Sequence, residues 1–344
     1  MVHDITAYIR DRYDFVSYLQ PPNDDNPRAA VVMKMCRKAD GRLHAIKLLR
    51  SKDFRTIEVD AAQHVGRTSS AVVPVTIMAR NDHVTCLQMP FSARGDLFNH
   101  VVGGGCGFTV ARVVDIVVQV LHSVCVMHET HTAHMDIKLE NLLVDNDYNN
   151  ILSPGSALEA ETQGPTAGDI AAAQVLSAAS SSSDDDSDFD DYDSFDDDDD
   201  YNAVGTVVKL TDFGSALCVG PQGKLMSAMV GTSGYMAPEI ALADYRPGRR
   251  RPRVTTKCDI WSIGHLMYLM LTGKAMCAYS TACDATTCDR QLRVLERGTA
   301  LREIEDPELR DIVAECMEIE PSQRPTARHL MHKVQRIRDV MVQG

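Results

Sequence analysis

Short apolar segments alternate with turn-forming residues over the first hundred positions of the chain. Three such segments are YDFVSYLQ (13–20), AAVVMKMCRK (29–38) and RLHAIKLLR (42–50). They are separated by PPNDDNPR and by ADG. Apolar runs bounded by Pro, Gly, Asn and Asp predict strands joined by turns, here an antiparallel meander. One stretch, FRTIEVDAAQHV (54–65), has its apolar residues at helical spacing and predicts a helix between the strands.

Helical periodicity replaces this pattern beyond Thr109. Apolar residues between 113 and 127 recur at i, i+3, i+4 and i+7, which predicts one face of a long helix. After a strand-like segment, TVVKLTDF, three more helical segments follow: CDIWSIGHLMYLMLTG (258–273), PELRDIVAECME (307–318) and TARHLMHKVQRIRDVMV (326–342). The order of elements predicts an α+β protein with a small, antiparallel β-rich lobe containing one helix and a larger α-helical lobe.

A break in composition interrupts the second lobe. Residues 149–203 are rich in Ser, Ala, Gly and Asp, with SSSSDDDSDFDDYDSFDDDDD at their centre. Self-repulsion and the lack of apolar residues predict a disordered, acidic insertion. Twelve Asp lie within residues 184–200 alone, against a net charge of −13 for the 344 residues. The rest of the chain is therefore nearly neutral, which argues against a nucleic-acid partner.

The remaining composition indicates a globular protein inside the cell. Hydrophobic residues make up 44% and charged residues 24%, a balance that can bury a large core. The most apolar stretch, residues 110–127, contains Arg and Asp, so no membrane association is expected. The first residues lack the apolar centre of a signal peptide, and no CxxC pair occurs among the ten Cys. We therefore expect free thiols and an intracellular location, cytoplasmic or nuclear.

Four short motifs occur in a fixed order. They are HAIK (44–47), HMDIKLEN (134–141), TDFG (211–214) and GTSGYMAPE (231–239). In these motifs the chain resembles the eukaryotic protein kinase family, whose signatures are V-A-I-K, H-R-D-L-x-x-x-N, D-F-G and A-P-E. The resemblance covers residues 12–340 apart from the insertion. It implies a two-lobed kinase fold, with an N-lobe over about 12–91 and a C-lobe over about 95–340.

The resemblance assigns roles to the charged residues of these motifs. Phosphoryl transfer asks a protein mainly to position the reactants and to neutralise charge. Lys47 would bind the α- and β-phosphates of ATP, paired with Glu58 on the following helix; Asp60 is the competing partner. Asp136 would orient the substrate hydroxyl and accept its proton. Lys138 would reach the transferring phosphate.

The same resemblance implies a nucleotide and metal site. Asn141 and Asp212 would supply the oxygen ligands that Mg²⁺ prefers. Aligning GDL (95–97) with the corresponding family motif makes Met89 the gatekeeper and Ser92 the backbone position that hydrogen-bonds adenine. Leu19 is a further candidate for nucleotide contact. A Lys at 138 together with Thr232 is typical of Ser/Thr kinases, as opposed to Tyr kinases.

Structural supports follow from the same motifs. Glu239 of APE is expected to pair with Arg324 in the buried base of the larger lobe. Asp259 is expected to accept hydrogen bonds from the backbone of the catalytic loop.

His128, His131 and His134 are spaced by three residues like a metal site, but they lack the H-E-x-x-H spacing of zinc proteases. We therefore interpret them as histidines at a helix end.

The chain departs from the family pattern at the glycine-rich loop. Between Leu19 and Val31 it reads QPPNDDNPRAA, with no Gly. Glycines let backbone N–H groups approach the phosphates, whereas Pro lacks the N–H and fixes φ. Asp24 and Asp25 would add charge repulsion. We expect weakened ATP binding, offset by Lys47 and bound Mg²⁺.

Two further departures concern regulation. Met135 stands where the family usually has an Arg that receives a phosphate from the activation segment. Because Met135 cannot bind a phosphate as that Arg does, we expect that activity does not require phosphorylation of the activation segment. Ser227 or Thr232 could still be modified. The insertion is expected to be a tolerated surface loop, because closing a long loop costs little. The alternative is that it docks electrostatically on the Arg-rich segment YRPGRRRPR (245–253) or on another basic partner.

The sequence therefore predicts a protein serine/threonine kinase. It would transfer the γ-phosphate of Mg·ATP to Ser and Thr hydroxyls of protein substrates. The alternative is a kinase-like scaffold with weak or no catalysis, which binds partners through its acidic insertion or its Arg cluster. The missing glycines favour the scaffold, and the full set of charged catalytic residues favours the enzyme.

Overall fold

The chain divides into two compact units. A computed structural model describes residues 4–23, 26, 29–103, 107–145, 207–226, 230–241, 253–274 and 300–343. The described part of the first unit, here called the sheet unit, lies within Met1–Arg55 and Val75–Phe91. The second, here called the helical unit, comprises Thr56–Pro74, Ser92–Tyr148 and Asn202–Gly344.

The sheet unit is built on five antiparallel strands in the order β1-β2-β3-β5-β4. Its elements are α1 (Ile5–Arg12), β1 (Tyr13–Gln20), β2 (Val31–Arg37), β3 (Leu43–Arg50), β4 (Thr76–Arg80) and β5 (Val84–Pro90). The three strands predicted from the first hundred residues are confirmed as a meander, with β3 at the centre of the sheet. Their central parts are rich in β-branched and other apolar residues, which suit a pleated, half-buried surface.

Helix α1 was not anticipated from the sequence. Asp4 caps it, because its carboxylate accepts a hydrogen bond from the Ala7 N–H at 2.9 Å. Ile5 and Ile9 share one helix face and are buried against one side of the sheet, in a core with residues such as Ile46. The sequence signal for this helix is an Asp followed by two apolar residues four positions apart. The helix begins before residue 12, where the kinase domain was predicted to start.

The helical unit contains seven helices among the described residues: α2 (Ile57–Gly66), α3 (Leu97–Gly103), α4 (Val110–Glu129), α5 (Pro238–Ala241), α6 (Lys257–Thr272), α7 (Pro307–Cys316) and α8 (Ala327–Gln343). Short strands form three antiparallel pairs, β6 (Thr132–Ala133) with β9 (Leu217–Cys218), β7 (Leu142–Asp145) with β8 (Val207–Leu210), and β10 (Lys224–Leu225) with β11 (Arg253–Val254). The predicted long helices and the α+β class are confirmed. The unit boundary differs from the predicted lobes, because α2 belongs to the helical unit by its contacts.

Helices α4 and α6 form the core of the helical unit. Every residue of α6 from Cys258 to Met270 is buried, as expected for a helix that is apolar on all sides. Helix α4 is long and apolar enough to cross a membrane by length and composition alone, but 67% of its most apolar window is buried inside the protein. A buried core helix accounts for that composition.

The two residues that flank the predicted insertion in the described part of the chain are paired neighbours in the hairpin β7–β8. Asp145, the last residue of β7, pairs in register with Val207, the first residue of β8. The Lys209 ammonium lies 2.6 Å from the Asp145 carboxylate, and the Gln119 amide oxygen on α4 accepts the Val208 N–H at 2.9 Å. The residues between these strands lie outside the described ranges, so the 149–203 boundary and the predicted disorder stay predictions.

Candidate active site

The loop between β6 and β7, residues 134–141, is anchored on a buried carboxylate. Asp259 in the first turn of α6 is 1% exposed and accepts the N–H groups of His134 and Met135 at 2.8 and 2.9 Å. The His128 Nε2 atom lies 2.9 Å from the same carboxylate. Burial raises the pKa of Asp259, but the hydrogen bond and charge of His128 outweigh it, so the net shift is downward. The expected support role of Asp259 is confirmed.

His134 connects this loop to the strand that leads to TDFG. Its Nδ1 accepts the Asp136 N–H at 3.3 Å, so the ring proton resides on Nε2, which donates to the Thr211 carbonyl at 3.1 Å. Its ring also meets the Phe213 ring edge-on at 5.0 Å. Within the described ranges, no group of three or more His, Cys, Asp or Glu side chains could hold a metal ion. His128 and His134 are both engaged in hydrogen bonds that hold this loop, and the interpretation of the triplet as structural stays a prediction.

Three polar side chains converge on the Asp136 carboxylate. Thr232 donates its hydroxyl proton to Asp136 Oδ1 at 2.6 Å and accepts a hydrogen bond from the Lys138 ammonium at 2.7 Å. Lys138 also lies 3.3 Å from Asp136 Oδ2, and Asn141 Nδ2 donates to that oxygen at 3.2 Å. The sequence indicates Thr232 as a marker of specificity and as a residue that could be modified, but it does not predict the contact with Asp136. This cluster can orient a hydroxyl group and neutralise negative charge beside it.

Asn141 and Asp212 offer oxygen atoms of the kind that Mg²⁺ prefers. Both Asn141 amide hydrogens point to Asp136, one to its backbone oxygen at 2.8 Å, which leaves the amide oxygen as the ligand atom. Asp212 has an exposed carboxylate on a left-handed backbone, with φ 57° and ψ 70°. The Thr211 N–H donates to the Asn141 carbonyl at 3.0 Å, so the two motifs are joined. One carboxylate, one amide oxygen and substrate phosphates fit Mg²⁺.

Helix α2 directs one of its two candidate acids toward TDFG. Glu58 is 5% exposed, whereas Asp60 is exposed. A Cβ atom added to Gly214 would lie 3.5 Å from Glu58 Oε2 and 3.1 Å from Asp212 Oδ1. Both carboxylates therefore border Gly214, and the burial of Glu58 favours it over Asp60 for the predicted pairing role.

The sheet unit carries the predicted nucleotide residues other than Ser92. Lys47 on β3 lies opposite Leu87 on β5, and Met89 lies opposite Ala45. Residues that lie opposite each other on neighbouring strands share a sheet face, and so do residues two apart on one strand. Lys47 therefore lies on the same face as Ala45, and Ala45 on the same face as Met89. That face is opposite the one buried by α1, because Ile46 alternates with Lys47.

Leu19 and Ser92 lie in different local settings. Leu19 is 46% exposed, at an irregularity in the pairing of β1. Ser92 belongs to the helical unit, where its carbonyl accepts the Gly95 N–H at 3.3 Å in the turn before α3. The assignment of Leu19, Met89 and Ser92 to nucleotide binding stays a prediction.

Met135 occupies the position of the family's phosphate-binding Arg. Its side chain is buried, with its sulfur 3.5 Å from Cys258 Sγ, and its backbone φ is 70°. Gly231 approaches it so closely that an added Cβ would lie 2.6 Å from the Met135 carbonyl, at a φ of 112° that disfavours other residues. Close backbone packing therefore holds Gly231 against Met135, and the sulfur contact with Cys258 holds Met135 against α6.

A buried ion pair supports the base of the unit. Arg324 binds Glu239 through two parallel hydrogen bonds of 2.8 Å, with both side chains almost fully buried. This pairing confirms the prediction from the sequence. The remaining guanidinium hydrogens donate to the carbonyls of Glu318, Lys257 and Ile319.

Several predictions concern residues outside the described ranges. They are Asp24 and Asp25, the acidic insertion, Ser227, and Arg246, Arg249, Arg250 and Arg251 of the Arg-rich segment. The fifth Arg of that segment, Arg253, donates to the Gln222 and Gly223 carbonyls at 3.3 and 3.0 Å. This residue is therefore already engaged by the backbone of the helical unit.

His265 is a buried histidine on α6. It is 1% exposed, and neither ring nitrogen has a hydrogen-bond partner within the described part of the chain. Its ring contacts the Tyr235 ring at 5.1 Å and the Tyr268 ring at 6.5 Å. Burial lowers the pKa of His265 to about 4. The side chain is therefore neutral at pH 7.

We expect His265 to make the protein sensitive to acid. Its pKa is about 4 in the folded state and about 6.5 in an unfolded chain. The unfolded chain therefore binds a proton first, and stability falls as the pH drops from about 6.5 toward 4, by about 3 kcal/mol in total. Urea unfolding of the His265→Leu variant should lack this loss. His329→Gln, at an exposed position on α8, should retain it. Parallel pH profiles for wild type and His265→Leu would contradict the assignment.

Comparison with known proteins identifies the chain at the level of family. The family model described as "Protein kinase domain" matches residues 28–166 and 196–334, which is most of the chain. The unmatched stretch between these ranges falls inside the predicted insertion, and α1 and β1 precede the match.

Curated relatives are similar at low identity. A serine/threonine-protein kinase, RAD53 of Saccharomyces cerevisiae, is 22% identical over 315 residues, covering 87% of this chain and 30% of the relative. A probable serine/threonine-protein kinase, fhkD of Dictyostelium discoideum, is 22% identical over 258 residues, covering 71% and 27%. An inactive serine/threonine-protein kinase, PLK5 of Mus musculus, is 32% identical over 124 residues, covering 36% and 19%. The chain thus spans less than a third of the length of these relatives. The family match establishes that the chain belongs to the eukaryotic protein kinase family, and the relatives that it resembles are named serine/threonine kinases.

Proposed function

We propose that the chain is an active protein serine/threonine kinase that uses Mg·ATP. The observation that carries this proposal is the arrangement around Asp136. Its carboxylate is held by the Thr232 hydroxyl, the Lys138 ammonium and the Asn141 amide, all within 3.3 Å. A scaffold without chemistry has no need to keep a carboxylate, an ammonium and a hydroxyl in mutual contact, since simpler packing would be more stable.

Asp136 would act on the acceptor hydroxyl. Its Oδ1, now occupied by the Thr232 hydroxyl, is the atom that a substrate hydroxyl would approach, and it would take that proton as the new O–P bond forms. Lys138 would stay beside Asp136 and offset the charge on the transferring phosphoryl group. Thr232 and Asn141 would keep the carboxylate in one orientation.

The nucleotide contacts proposed here are those that the family resemblance assigns. Lys47 would bind the α- and β-phosphates, and Glu58 is the predicted partner of its ammonium. Asn141 and Asp212 would hold Mg²⁺ through their oxygen atoms. Held there, Mg²⁺ would supply positive charge to offset the charge of the phosphate oxygens. The absence of Gly between Leu19 and Val31 is expected to weaken this binding without abolishing it.

A kinase-like scaffold is the second candidate. The degraded phosphate loop favours it, and one relative is named an inactive kinase. As a scaffold, the chain would bind a basic partner through its acidic insertion. As an enzyme, we propose that it acts on Ser and Thr residues of proteins inside the cell.

The test is transfer of radiolabelled phosphate from Mg·ATP to a mixed peptide library. Label on Ser or Thr that exceeds the level of the Asp136→Asn variant supports the enzyme. Label equal to that of the variant, together with no thermal stabilisation by Mg·ATP, overturns the proposal and favours the scaffold.

We further predict that activity does not depend on phosphorylation of the activation segment. The family Arg is absent, and Met135 is buried against Cys258 with no charge to offer a phosphate. Phosphatase-treated protein, shown by mass spectrometry to be unmodified, should therefore keep the turnover of the untreated sample. Loss of turnover after treatment, restored by rephosphorylation, would disprove this prediction.

A further inference from the structure

A closed cycle of hydrogen bonds joins the end of α2 to the middle of α4. The hydroxyls of Ser69 and Ser123 lie 3.1 Å apart, and the two residues are 8% and 0% exposed. Ser123 donates its proton to the Ala71 carbonyl at 3.0 Å, so Ser69 must be the donor to Ser123. Ser69 in turn accepts the Ala71 N–H at 3.2 Å. The cycle therefore begins and ends on one residue, with every proton assigned.

The same junction fixes the strand that precedes Asp212. The Ala71 carbonyl also accepts the Leu210 N–H at 2.9 Å, and the Val73 N–H donates to the Leu210 carbonyl at 3.0 Å. Leu210 is the last residue of β8, two positions before Asp212. Ala71 is thus shared between the hydroxyl cycle and the strand that leads to the proposed metal ligand.

The cycle gives helix α2 a directional contact at its end. Apart from Glu58, the buried side of α2 is formed by small or β-branched residues such as Ala62 and Val65, and apolar packing of this kind is not directional. Buried hydrogen bonds have strict distance and angle requirements, so the cycle fixes the position of α2 along its axis. Glu58 lies on this helix and borders Gly214 beside Asp212.

We propose that the Ser69–Ser123 hydroxyl pair is a tether that positions Glu58 and Asp212 relative to each other for phosphoryl transfer. Both serines act through α2 and β8 and touch neither substrate nor metal, so they are positioning residues. This inference rests on the proposed kinase function for its catalytic consequence, but its structural part concerns only residues of the helical unit.

Binding and kinetics of the Ser123→Ala variant test the proposal. The substitution removes the acceptor of the Ser69 proton and one of the two donors to the Ala71 carbonyl. We expect the KM and Kd for Mg·ATP to rise about tenfold, as for other groups that orient metal ligands. The Kd for adenosine, which has no phosphate, should stay unchanged. Ser69→Ala should have the same effect, and the double variant should add little, because both serines belong to one cycle.

The sheet unit offers a matched control. Ser51 and Thr85 form a buried hydroxyl pair at 2.9 Å, and Ser51 donates to the Asn81 carbonyl at 2.7 Å. Ser51→Ala should lower thermal stability by a similar amount and leave the ratio of Mg·ATP to adenosine affinity unchanged. If Ser123→Ala lowers stability alone, or weakens adenosine equally, the tether has no positioning role and the proposal is wrong.

Hydrogen exchange separates failure of the tether from failure of the kinase function. Amides of residues 57–66 should exchange faster in Ser123→Ala than in wild type or Ser51→Ala, whether or not the protein transfers phosphate. Unchanged exchange in α2 would overturn the tether even in an active enzyme. Faster exchange in a protein without activity would support the tether and reject only the proposed kinase function.

Discussion

Replacing Asp136 with Asn is expected to lower kcat for peptide phosphorylation by a factor of about 10²–10⁴. The amide keeps the size of the side chain and a hydrogen bond with Thr232, but it cannot accept the proton of the acceptor hydroxyl. Lys138, now 3.3 Å from Asp136 Oδ2, would lose its counter-charge. The KM for ATP should change little, because Lys47 and Asp212 remain. Initial rates at saturating Mg·ATP measure the effect.

Asp145→Asn is the matched control for this substitution. Like Asp136, Asp145 is a partly buried carboxylate of the helical unit that pairs with a lysine; its partner, Lys209, lies at 2.6 Å. Unlike Asp136, it lies on β7, at the base of the insertion. Its loss should cost about 1 kcal/mol of stability or less and leave kcat unchanged. Equal losses of kcat in the two variants would mean that Asp136 acts through the fold and has no role in proton transfer.

Thr232 gives a finer test of the same cluster. Its hydroxyl bridges Asp136 and Lys138, so Thr232→Val removes one donor to the carboxylate and one acceptor for the ammonium. Since both catalytic groups remain, the fall in kcat should be smaller than for Asp136→Asn. A larger fall would make Thr232 the central group of the cluster.

Elements with strong local signals were predictable from the sequence. The meander of β1 to β3 has turn residues at each end, and α4 has a sustained apolar period, so both were expected. The support roles of Asp259 and of the Glu239–Arg324 pair followed from the motifs and were confirmed. In each case the interaction depends on residue type at a fixed motif position, which a single sequence contains.

Features that depend on tertiary contacts were not predictable in the same way. The Ser69–Ser123 pair joins residues 54 positions apart, and neither belongs to a motif. The grouping of α2 with the helical unit depends on packing that local periodicity does not encode. Helix α1 was not predicted for a different reason: it is eight residues long, and Ile5 and Ile9 alone give too short an apolar period to indicate a helix.

We expect Arg324→Met to lower the free energy of unfolding by about 3–5 kcal/mol. The substitution leaves the Glu239 carboxylate buried without its counter-charge, and three backbone carbonyls lose the guanidinium hydrogens that they accept. It also removes the stacking of the guanidinium over the Trp261 ring, at 5.1 Å from the ring centre. Urea unfolding at pH 7, with equal m-values, measures the change.

Arg328→Met, four residues further on, provides the control. Arg328 pairs with Glu129, but their side chains are 71% and 57% exposed, so its loss should cost about 1 kcal/mol or less. The double variant Arg324→Met with Glu239→Leu should recover part of the stability, because no buried charge is then left unpaired. Full recovery is not expected, since the carbonyls of Glu318, Lys257 and Ile319 would still lack a donor. If Arg324→Met were no more destabilising than Arg328→Met, the base of the helical unit would be held by packing around Trp261, and the ion pair would contribute only specificity.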